Sequence, residues 1–463
     1  MKLNFKLRKA PAYTHEGGRA FRSTPENELR RAVCTCLLWE DSFYESGQSI
    51  AERIAVLIPN VAPEFVAQLA VEARTIHNLR HAPLLIVREM AKLPTHKHLV
   101  ADTLERVIQR PDELGEFISI YWKDGKQPLS NQVKKGLRNA FLKFNDYSLA
   151  KYNSANAAIK LRDVAFLTHV KPQNSEQALR LARLVNKEHF SEKYPFDQPF
   201  LHLPVPDTWE TELSAGKDKR ETWERLLREK KLGALAFLRN LRNMQQVDVD
   251  RDLILDYAMD LDVSRVLPFR FIAAQRYAPD LTLRLEKLML NSIKELPKLE
   301  GTTVILVDVS GSMNAALSGK SDLSRFDAAT ALAMICTEIC HDAIVYAFGT
   351  NYAKVPSVRG FGLKIVLADE MKRIGGATYL QLAIDGICAS EKFDRLIVIT
   401  DEQAQDTRAN PFHVNTKKAA VFYVINVAGF KNGVSYDKNV IHIDGFSESV
   451  IQFIYEFEKL SEM

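Results

Sequence analysis

The chain divides into two parts by the spacing of its apolar residues. From about residue 25 to residue 296, apolar residues recur every three or four positions in segments of roughly 12 to 20 residues, which is the spacing of one helix face. From residue 301 onward, short apolar runs alternate with helical segments. We therefore predict helices with almost no strands in the first part, and strands alternating with helices in the second.

The first part is predicted to be a helical repeat structure. Thr24 before Pro25 predicts the start of the first helix, because threonine caps a helix and proline suits its first position. Helix pairs stacked side by side, as in armadillo or HEAT solenoids, suit the pattern, although no exact period is visible. A segment rich in proline and aromatic residues, 190–209, is predicted to be a long ordered connection. Further helices are predicted over 49–57, 63–78, 82–93, 97–109, 112–121, 129–144, 161–170, 175–186, 222–228, 232–244, 251–259 and 280–294.

The second part is predicted to be a doubly wound α/β domain with a mostly parallel sheet. The change of pattern gives a helical domain over 1–297 and an α/β domain over 298–463. In such a sheet, ligands bind at the carboxyl ends of the strands. Strands are predicted over 302–307, 343–348, 396–400, 421–427 and 440–443, and helices over 326–340, 380–388 and 448–460.

Oxygen-bearing side chains follow the predicted strands. Asp308, Ser310 and Ser312 come at the end of the first strand, and Asp401 follows the third. Thr378 offers a hydroxyl from a glycine-containing turn. Hard oxygen ligands without His or Cys favour Mg²⁺, with Ca²⁺ or Mn²⁺ as alternatives. The other interpretation is that the aspartate and the serines only cap the turn.

This arrangement resembles the metal-ion-dependent adhesion site of von Willebrand factor A domains. Residues 308–312 have the form Asp-x-Ser-x-Ser, and the segments of Thr378 and Asp401 follow in the order and approximate spacing of that fold. The family usually has Gly-Gly-Thr, whereas Ala377 separates Thr378 from its two glycines here. In the family, such a metal usually presents an open coordination position to an acidic group of a partner, and it can also be structural.

The composition is that of a soluble globular protein with two or three domains. The 463 residues are 46% hydrophobic and 26% charged, and no apolar run is long enough to span a membrane. No apolar segment follows the first basic residues, which argues against a secretory signal. The five cysteines form no disulfide framework, which favours reduced thiols and a cytoplasmic location. No catalytic triad, phosphate-binding loop or metallohydrolase histidine cluster is present, so we predict no enzyme.

Positive charge is concentrated in one segment of the helical part. The formal net charge of the chain is +4, but residues 121–171 alone hold 10 Lys and Arg against three Asp and Glu. On a helical wheel of residues 129–144, Lys134, Lys135 and Arg138 fall opposite an apolar arc. One face can therefore be buried while the other meets the phosphates of a polyanion. The apolar arc consists of Leu129, Val133, Leu137, Ala140, Phe141 and Phe144.

The basic segment continues beyond this helix, with Tyr147 and Tyr152 as stacking surfaces among further cations. Such a mixture supplies phosphate contacts, base-edge donors and stacking surfaces for nucleic acid. One alternative is a solvated basic face that binds nothing. For His169, another alternative is a role in the core or in a helix cap. The further basic residues are Lys151, Arg162, His169 and Lys171.

Residue blocks throughout the chain resemble the Ro autoantigen family, in which a helical module called TROVE precedes a von Willebrand factor A domain. Coverage is nearly complete, and the block at 264–271 is more specific to the family than the metal motif. The chain is shorter than the animal members and looks like a bacterial or phage member. The blocks are EGGRAF at 16–21, LAKYN at 149–153, LRDV at 161–164, LTHVKP at 167–172, AFLRNLR at 236–242, SRVLPFRF at 264–271 and VDVSGSM at 307–313.

The resemblance implies that the helical repeats close into a ring bridged by the von Willebrand A domain. In the family, the outer basic surface binds small stem-loop RNAs called Y RNAs, and the central hole accepts single-stranded 3′ ends of misfolded RNAs. Carried over by position, Lys151, Arg162, His169 and Lys171 are the expected RNA contacts. We also expect the face of Lys134, Lys135 and Arg138 to bind RNA, but this expectation is based on the helical wheel and not on the family.

We therefore expect a non-catalytic, monomeric RNA-binding protein that acts in RNA quality control or as a scaffold for a ribonuclease. Its expected partners are Y-like and misfolded RNAs, with an exoribonuclease joined through the RNA. The alternative is a protein-interaction scaffold, in which Mg²⁺ at Asp308 holds an acidic residue of a partner protein. Nucleic acid that copurifies with the protein would favour the first hypothesis.

Overall fold

A computed structural model describes most of the chain. It covers residues 12–13, 19–20, 24–34, 47–77, 79–154, 156–185, 203, 208–214, 216–264, 266, 268–296, 298–317, 323–406, 421–428, 440–445, 454 and 458. The chain forms two compact units, one of residues 51–217 and one that joins residues 1–50 to 218–463. Among the described residues, no helix is both long and apolar enough to cross a membrane.

The unit of residues 51–217 is built from helices. Most of them contact the helices one or two places further along the chain, as stacked helix pairs do in solenoids. A glycine, Gly136, permits one such contact, because a Cβ there would lie 2.8 Å from the carbonyl oxygen of Ala101. The helices are α2 (Gly47–Leu57), which begins just before the unit, α3 (Pro63–Thr75), α4 (His81–Lys92), α5 (Val100–Val107), α6 (Pro111–Tyr121), α7 (Asn131–Leu142), α8 (Asp146–Tyr152), α9 (Leu161–Thr168), α10 (Ser175–Val185) and α11 (Trp209–Ser214).

The other unit begins with a short strand pair, β1 (Ala12–Tyr13) and β2 (Arg19–Ala20), and helix α1 (Pro25–Cys34). The hydroxyl of Thr24 accepts a hydrogen bond from the backbone N–H of Asn27 at 3.3 Å, which confirms the predicted cap. After Asp218, five helices again contact their second neighbours. They are α12 (Lys219–Arg228), α13 (Ala234–Gln246), α14 (Arg251–Met259), α15 (Pro268–Tyr277) and α16 (Thr282–Ile293).

A six-stranded sheet follows, with the strand order β5-β4-β3-β6-β7-β8. All neighbouring strands are parallel except β4 and β5, so the predicted mostly parallel α/β fold is confirmed. The strands are β3 (Leu299–Asp308), β4 (Cys340–Phe348), β5 (Tyr352–Lys354), β6 (Arg395–Thr400), β7 (Val421–Asn426) and β8 (Ile441–Asp444), and the helices between them are α17 (Arg325–Ile339), α18 (Gly360–Ile374) and α19 (Leu380–Ser390).

Both faces of the central strand β3 are buried. Val304 and Leu306 pack in one cluster with apolar residues of α19. Ile305 and Val307 point to the opposite face and are also buried, and α17 contacts β3, β4 and β6. Burial on both faces explains why the sequence shows uninterrupted apolar runs here and no alternation.

Two helices that precede the sheet contact helices α17 and α18 of the α/β part through charged side chains. Arg276 of α15 pairs with Asp327 of α17 at 2.6 Å. The Glu286 carboxylate of α16 accepts a hydrogen bond at 2.8 Å from the backbone N–H of Phe361, at the start of α18. The compact unit thus extends across the change of pattern near residue 297, and the domain boundary placed there stays a prediction.

The sequence pattern missed α8, α11, α15 and α18 and the strands β1, β2 and β5. Helix α8 has 7 residues, so it is too short to show a helical period, and its cap is the side chain of Asn145. Helix α18 opens with glycines at residues 360 and 362, which obscure a helix start in the sequence. The predicted connection 190–209 and helix 448–460 lie almost wholly outside the described residues.

Candidate metal centre and basic surface

Two aspartates meet at the carboxyl ends of neighbouring strands. Asp308 is the last residue of β3, and Asp401 follows the last residue of β6. The hydroxyl of Thr400 donates a hydrogen bond to Asp308 Oδ2 at 2.6 Å, which joins the two strand ends directly. Both aspartates are fully buried. The parallel register of β3 and β6 therefore brings together carboxylates that are 93 residues apart in the sequence.

The predicted hydroxyl ligands lie on the loops beside these aspartates. The backbone N–H of Ser310 donates to Asp308 Oδ1 at 2.9 Å, and the hydroxyls of Ser310 and Ser312 are 3.2 Å apart. The backbone N–H of residue 311 donates to the carbonyl of residue 376 at 3.2 Å, so the loop that carries Thr378 runs next to the Asp308 loop. Thr378 is buried, and its carbonyl accepts from the backbone N–H of Gln405 at 2.9 Å.

The electrostatics of this cluster suit a divalent cation. Burial, and then the negative charge of Asp401, raises the pKa of the Asp308 carboxyl to about 7, although hydrogen bonds from Ser310 and Thr400 act in the opposite direction. A divalent cation would relieve the cost of keeping two like charges buried together. The donor set of carboxylates and hydroxyls fits Mg²⁺ better than Zn²⁺, because hard oxygen ligands suit Mg²⁺ whereas Zn²⁺ sites are usually built from His and Cys.

A buried arginine that the sequence analysis missed also contacts this cluster. Arg325, at the start of α17, places its Nη1 atom 3.0 Å from Asp401 Oδ2. Ser324 and Asp327 form a capping box around it, in which the Ser324 hydroxyl accepts from the Asp327 backbone N–H at 3.1 Å. The sequence Ser-x-x-Asp could have located the helix start, but nothing in it shows that the arginine faces a carboxylate 76 residues away.

The residue after Asp401 belongs to a second buried charge cluster. Glu402 has a positive φ of 58° and forms an ion pair with Arg31 of α1. His442 Nε2 lies 3.1 Å from the same Glu402 oxygen, and its Nδ1 lies 3.5 Å from Asp444. Burial lowers the pKa of His442, but the charges of Asp444 and Glu402 outweigh burial and raise it. This cluster connects the N-terminal helix to the strand ends of β6 and β8.

Helix α7, which carries Lys134, Lys135 and Arg138, has the two faces that the helical wheel of residues 129–144 predicts. All six residues of the apolar arc, Leu129 to Phe144, are buried, which confirms the arc. On the other side, Lys135 is exposed, and Lys134 and Arg138 are partly exposed. The side chain of Ser130 caps the helix by accepting from the backbone N–H of Val133 at 3.4 Å. The cations are therefore available for a ligand, and RNA contact by them stays a prediction.

An open groove of about 550 Å³ lies between the start of α7 and the end of α9. Two predicted RNA contacts, Lys134 and His169, line it together with two aromatic residues that sequence reasoning missed, Trp122 and Phe166. Phe166 is 53% exposed, which is unusual for a phenylalanine on a helix. The complete lining is Trp122, Lys126, Gln127, Pro128, Leu129, Lys134, Phe166, Leu167 and His169.

Two contacts hold the Trp122 ring at the groove. The indole Nε1 of Trp122 donates to the carbonyl of Gln127 at 2.6 Å, and the Lys126 ammonium lies 5.1 Å from the indole ring centroid. His169 ends α9 in the left-handed region, with a φ of 54°. The residue is exposed, which excludes the core role considered for it, whereas its position as the C-cap of α9 agrees with the other alternative, a role in a cap.

The other predicted RNA contacts lie outside this groove. Lys151, Arg162 and Lys171 are all exposed, and Arg162 makes a weak surface pair with Asp163 at 3.6 Å. The ring of Tyr152 carries the Arg110 guanidinium 4.6 Å from its centroid, so one of its faces is already covered. The structure thus provides exposed cations and a separate aromatic groove on one helical unit.

Comparisons with known proteins agree with this architecture. The family model "TROVE domain" matches residues 199–299, and the model "Ro60 vWA domain" matches residues 302–458. The crystal structure of the Deinococcus radiodurans RO (RSR) protein is similar in fold, with a TM-score of 0.56 and 17% identity over 92% of this chain and 97% of that chain.

Curated relatives include the telomerase protein component 1 of two rodents. The Rattus norvegicus protein is 25% identical over 321 residues, which are 53% of this chain and 12% of the relative. The Mus musculus protein is 23% identical over 297 residues, which are 48% of this chain and 11% of the relative. This chain therefore spans only a small part of the length of these relatives.

Proposed function

Because this chain belongs to the Ro family, whose members combine a TROVE domain with a von Willebrand A domain and bind RNA, we propose that it is a non-catalytic RNA-binding protein. The observation that carries the proposal is the basic surface of α7 to α9 with its open aromatic groove. Exposed cations there can contact phosphates, while Phe166 and Trp122 offer ring surfaces for bases. Such binding would depend strongly on salt and only modestly on sequence.

The identity of the RNA rests on the family resemblance. We propose that the chain binds small stem-loop RNAs of the Y type and the single-stranded 3′ ends of misfolded RNAs. In this role, it would sort RNAs for quality control or present them to an exoribonuclease that joins through the RNA. We propose that it acts as a monomer in the cytoplasm.

The test is RNA affinity as a function of salt. Fluorescence anisotropy with a labelled stem-loop that carries a single-stranded 3′ tail compares the wild type with a variant carrying Lys151→Ala, Arg162→Ala and His169→Ala. We expect the variant to lose binding at moderate salt. Its slope of log K against log salt should be shallower by about 1.5, because Lys151 and Arg162 each supply one phosphate contact and each lost contact changes the slope by about 0.7 to 0.9.

A matched control removes exposed cations elsewhere on the chain. Lys230 and Lys294 are exposed and lie outside the basic surface. The variant Lys230→Ala/Lys294→Ala should keep the affinity and slope of the wild type. An unchanged affinity of the Lys151, Arg162 and His169 variant at moderate salt would refute the assignment of this surface.

For the metal centre, we propose that Asp308, Ser310, Ser312, Thr378 and Asp401 hold a divalent cation, with Mg²⁺ favoured over Ca²⁺ or Mn²⁺. When bound, the cation supplies positive charge and an open coordination position. The protein residues supply buried oxygen ligands on loops that hydrogen bonds already join to each other. No catalytic step is assigned to these residues.

A second candidate function is a protein-interaction scaffold at the metal centre. Tyr379 and Leu382, beside the predicted ligand Thr378, are 37% and 47% exposed and could contact a partner that supplies an acidic ligand. The ratio of absorbance at 260 and 280 nm of protein purified from cells separates the two functions. Nucleic acid copurifies under the RNA-binding function, whereas under the scaffold function a protein copurifies and is lost in Asp308→Ala.

A further inference from the structure

A buried arginine faces one of the two carboxylates of the proposed metal centre. Arg325 is 2% exposed and Asp401 is fully buried, and their charged atoms are 3.0 Å apart. We propose that Arg325 is a built-in counter-cation of this centre, which neutralises Asp401 in the absence of a divalent ion and weakens the binding of that ion. The inference rests on the proposed metal role of Asp308 and Asp401.

The fold holds Arg325 in this place. Its backbone N–H donates to the carbonyl of Ala315 at 2.9 Å, and Ala316 forms an isolated antiparallel bridge with Ser324. The capping box of Ser324 and Asp327 fixes the first turn of α17. Asp327 is itself paired to Lys364 at 2.8 Å and to Arg276 of α15. The guanidinium therefore projects from a rigid helix start and not from a surface loop.

The charge balance gives the direction of the effect. When both carboxylates are ionised, as metal ligands must be, they carry a formal charge of −1 together with the guanidinium and −2 without it. A buried charge is costly unless an opposite charge accompanies it. Arg325 thus supplies part of the compensation that a metal ion would otherwise have to supply. A divalent ion that enters the centre also experiences repulsion from the guanidinium.

The experiment measures metal affinity and metal-dependent stability of the full chain. Mn²⁺, whose free form has a strong paramagnetic resonance signal, is titrated into the wild type and Arg325→Met. We expect Arg325→Met to bind Mn²⁺ at least about tenfold more tightly, because the repulsion is removed. In EDTA, the Tm of Arg325→Met should fall below that of the wild type and recover when Mn²⁺ is added, whereas the wild-type Tm should rise less, because a more weakly bound ion stabilises less at the same concentration. Arg325→Lys, which keeps the charge, should resemble the wild type.

The chain offers a matched control on β6, the strand that Asp401 follows. Arg395, at the opposite end of β6, is also buried and pairs with Glu458. Arg395→Met should lower the Tm equally in EDTA and in Mn²⁺, with an unchanged Kd for Mn²⁺. Should Arg325→Met fail to fold, Arg325→Gln makes the same comparison, since it keeps a hydrogen-bond donor but no charge.

The outcomes separate this inference from the metal proposal. Equal Kd values for Mn²⁺ in the wild type and in the neutral Arg325 variants would overturn the inference and leave the metal centre intact. If neither the wild type nor these variants bind Mn²⁺, both the metal centre and the inference are wrong.

Discussion

The buried pair of Arg31 and Glu402 provides the sharpest test of how the N-terminal helix is held. Both side chains are 0% exposed, and they are 371 residues apart in the sequence. In Arg31→Met, the Glu402 carboxylate would stay buried and keep its contact with His442 but lose the Arg31 guanidinium. We predict a large loss of stability, because removal of one partner leaves an incompletely compensated buried charge.

The magnitude follows from the pKa of Glu402. Burial raises this pKa, but the charges of Arg31 and His442 outweigh burial and lower it from 4.5 to about 2. At 1.36 kcal/mol per pKa unit, the ionised form gains about 3 kcal/mol in the folded state. Because the folded pKa lies below the ordinary value, this stability is present above about pH 4.5 and is lost as the pH falls towards 2. Arg31 and His442 share this gain, and the loss in Arg31→Met should be of the same order, about 3–5 kcal/mol at neutral pH, because removal of one partner leaves the other charge buried.

The assay is native-state hydrogen exchange of α1 and of strands β6 and β8, because a chain with two compact units need not unfold in one step. The double variant Arg31→Met/Glu402→Gln should lose less stability than Arg31→Met alone, since it leaves no buried charge at residue 402. As a control, Arg251→Met removes a surface pair with Asp280 in which the two side chains are 61% and 45% exposed, and it should cost less than about 1 kcal/mol.

A loss below about 1 kcal/mol in Arg31→Met, or a double variant that is less stable than Arg31→Met, would refute this reasoning. Either result would mean that the buried pair does not hold the N-terminal helix on the strand ends.

Two further predictions concern the helical unit. Phe166→Ala should weaken the binding of RNA with unpaired bases by about 1–3 kcal/mol, because a stacking surface is lost. The Tm should not fall, because this ring is largely exposed. An equal loss of affinity for fully paired RNA would contradict stacking. Gly136→Ala should destabilise the unit by about 1–3 kcal/mol in thermal unfolding, because its Cβ would press on backbone and side-chain atoms of α5. As a control, Gly362→Ala inside α18, where the nearest atom to the new Cβ would be the Val358 Cβ at an ordinary 3.7 Å, should not lower the stability.

The sequence alone determined the parts of this protein that depend on neighbouring residues. Helical periodicity located helix α7 and its buried arc, and the uninterrupted apolar runs located the two strands that lead to Asp308 and Asp401. These predictions were possible because a helix or a strand repeats its burial pattern within one segment. The family resemblance added the expected RNA partner, which no periodicity contains.

Only the tertiary structure decided which distant side chains meet. The pairs of Arg325 with Asp401 and of Arg31 with Glu402 join residues that are 76 and 371 positions apart. Phe166 lies on a helix whose pattern favours burial of apolar residues, yet the packing of α7 and α9 leaves it open beside His169. Such contacts depend on strand register and on helix packing, which no single segment of sequence specifies.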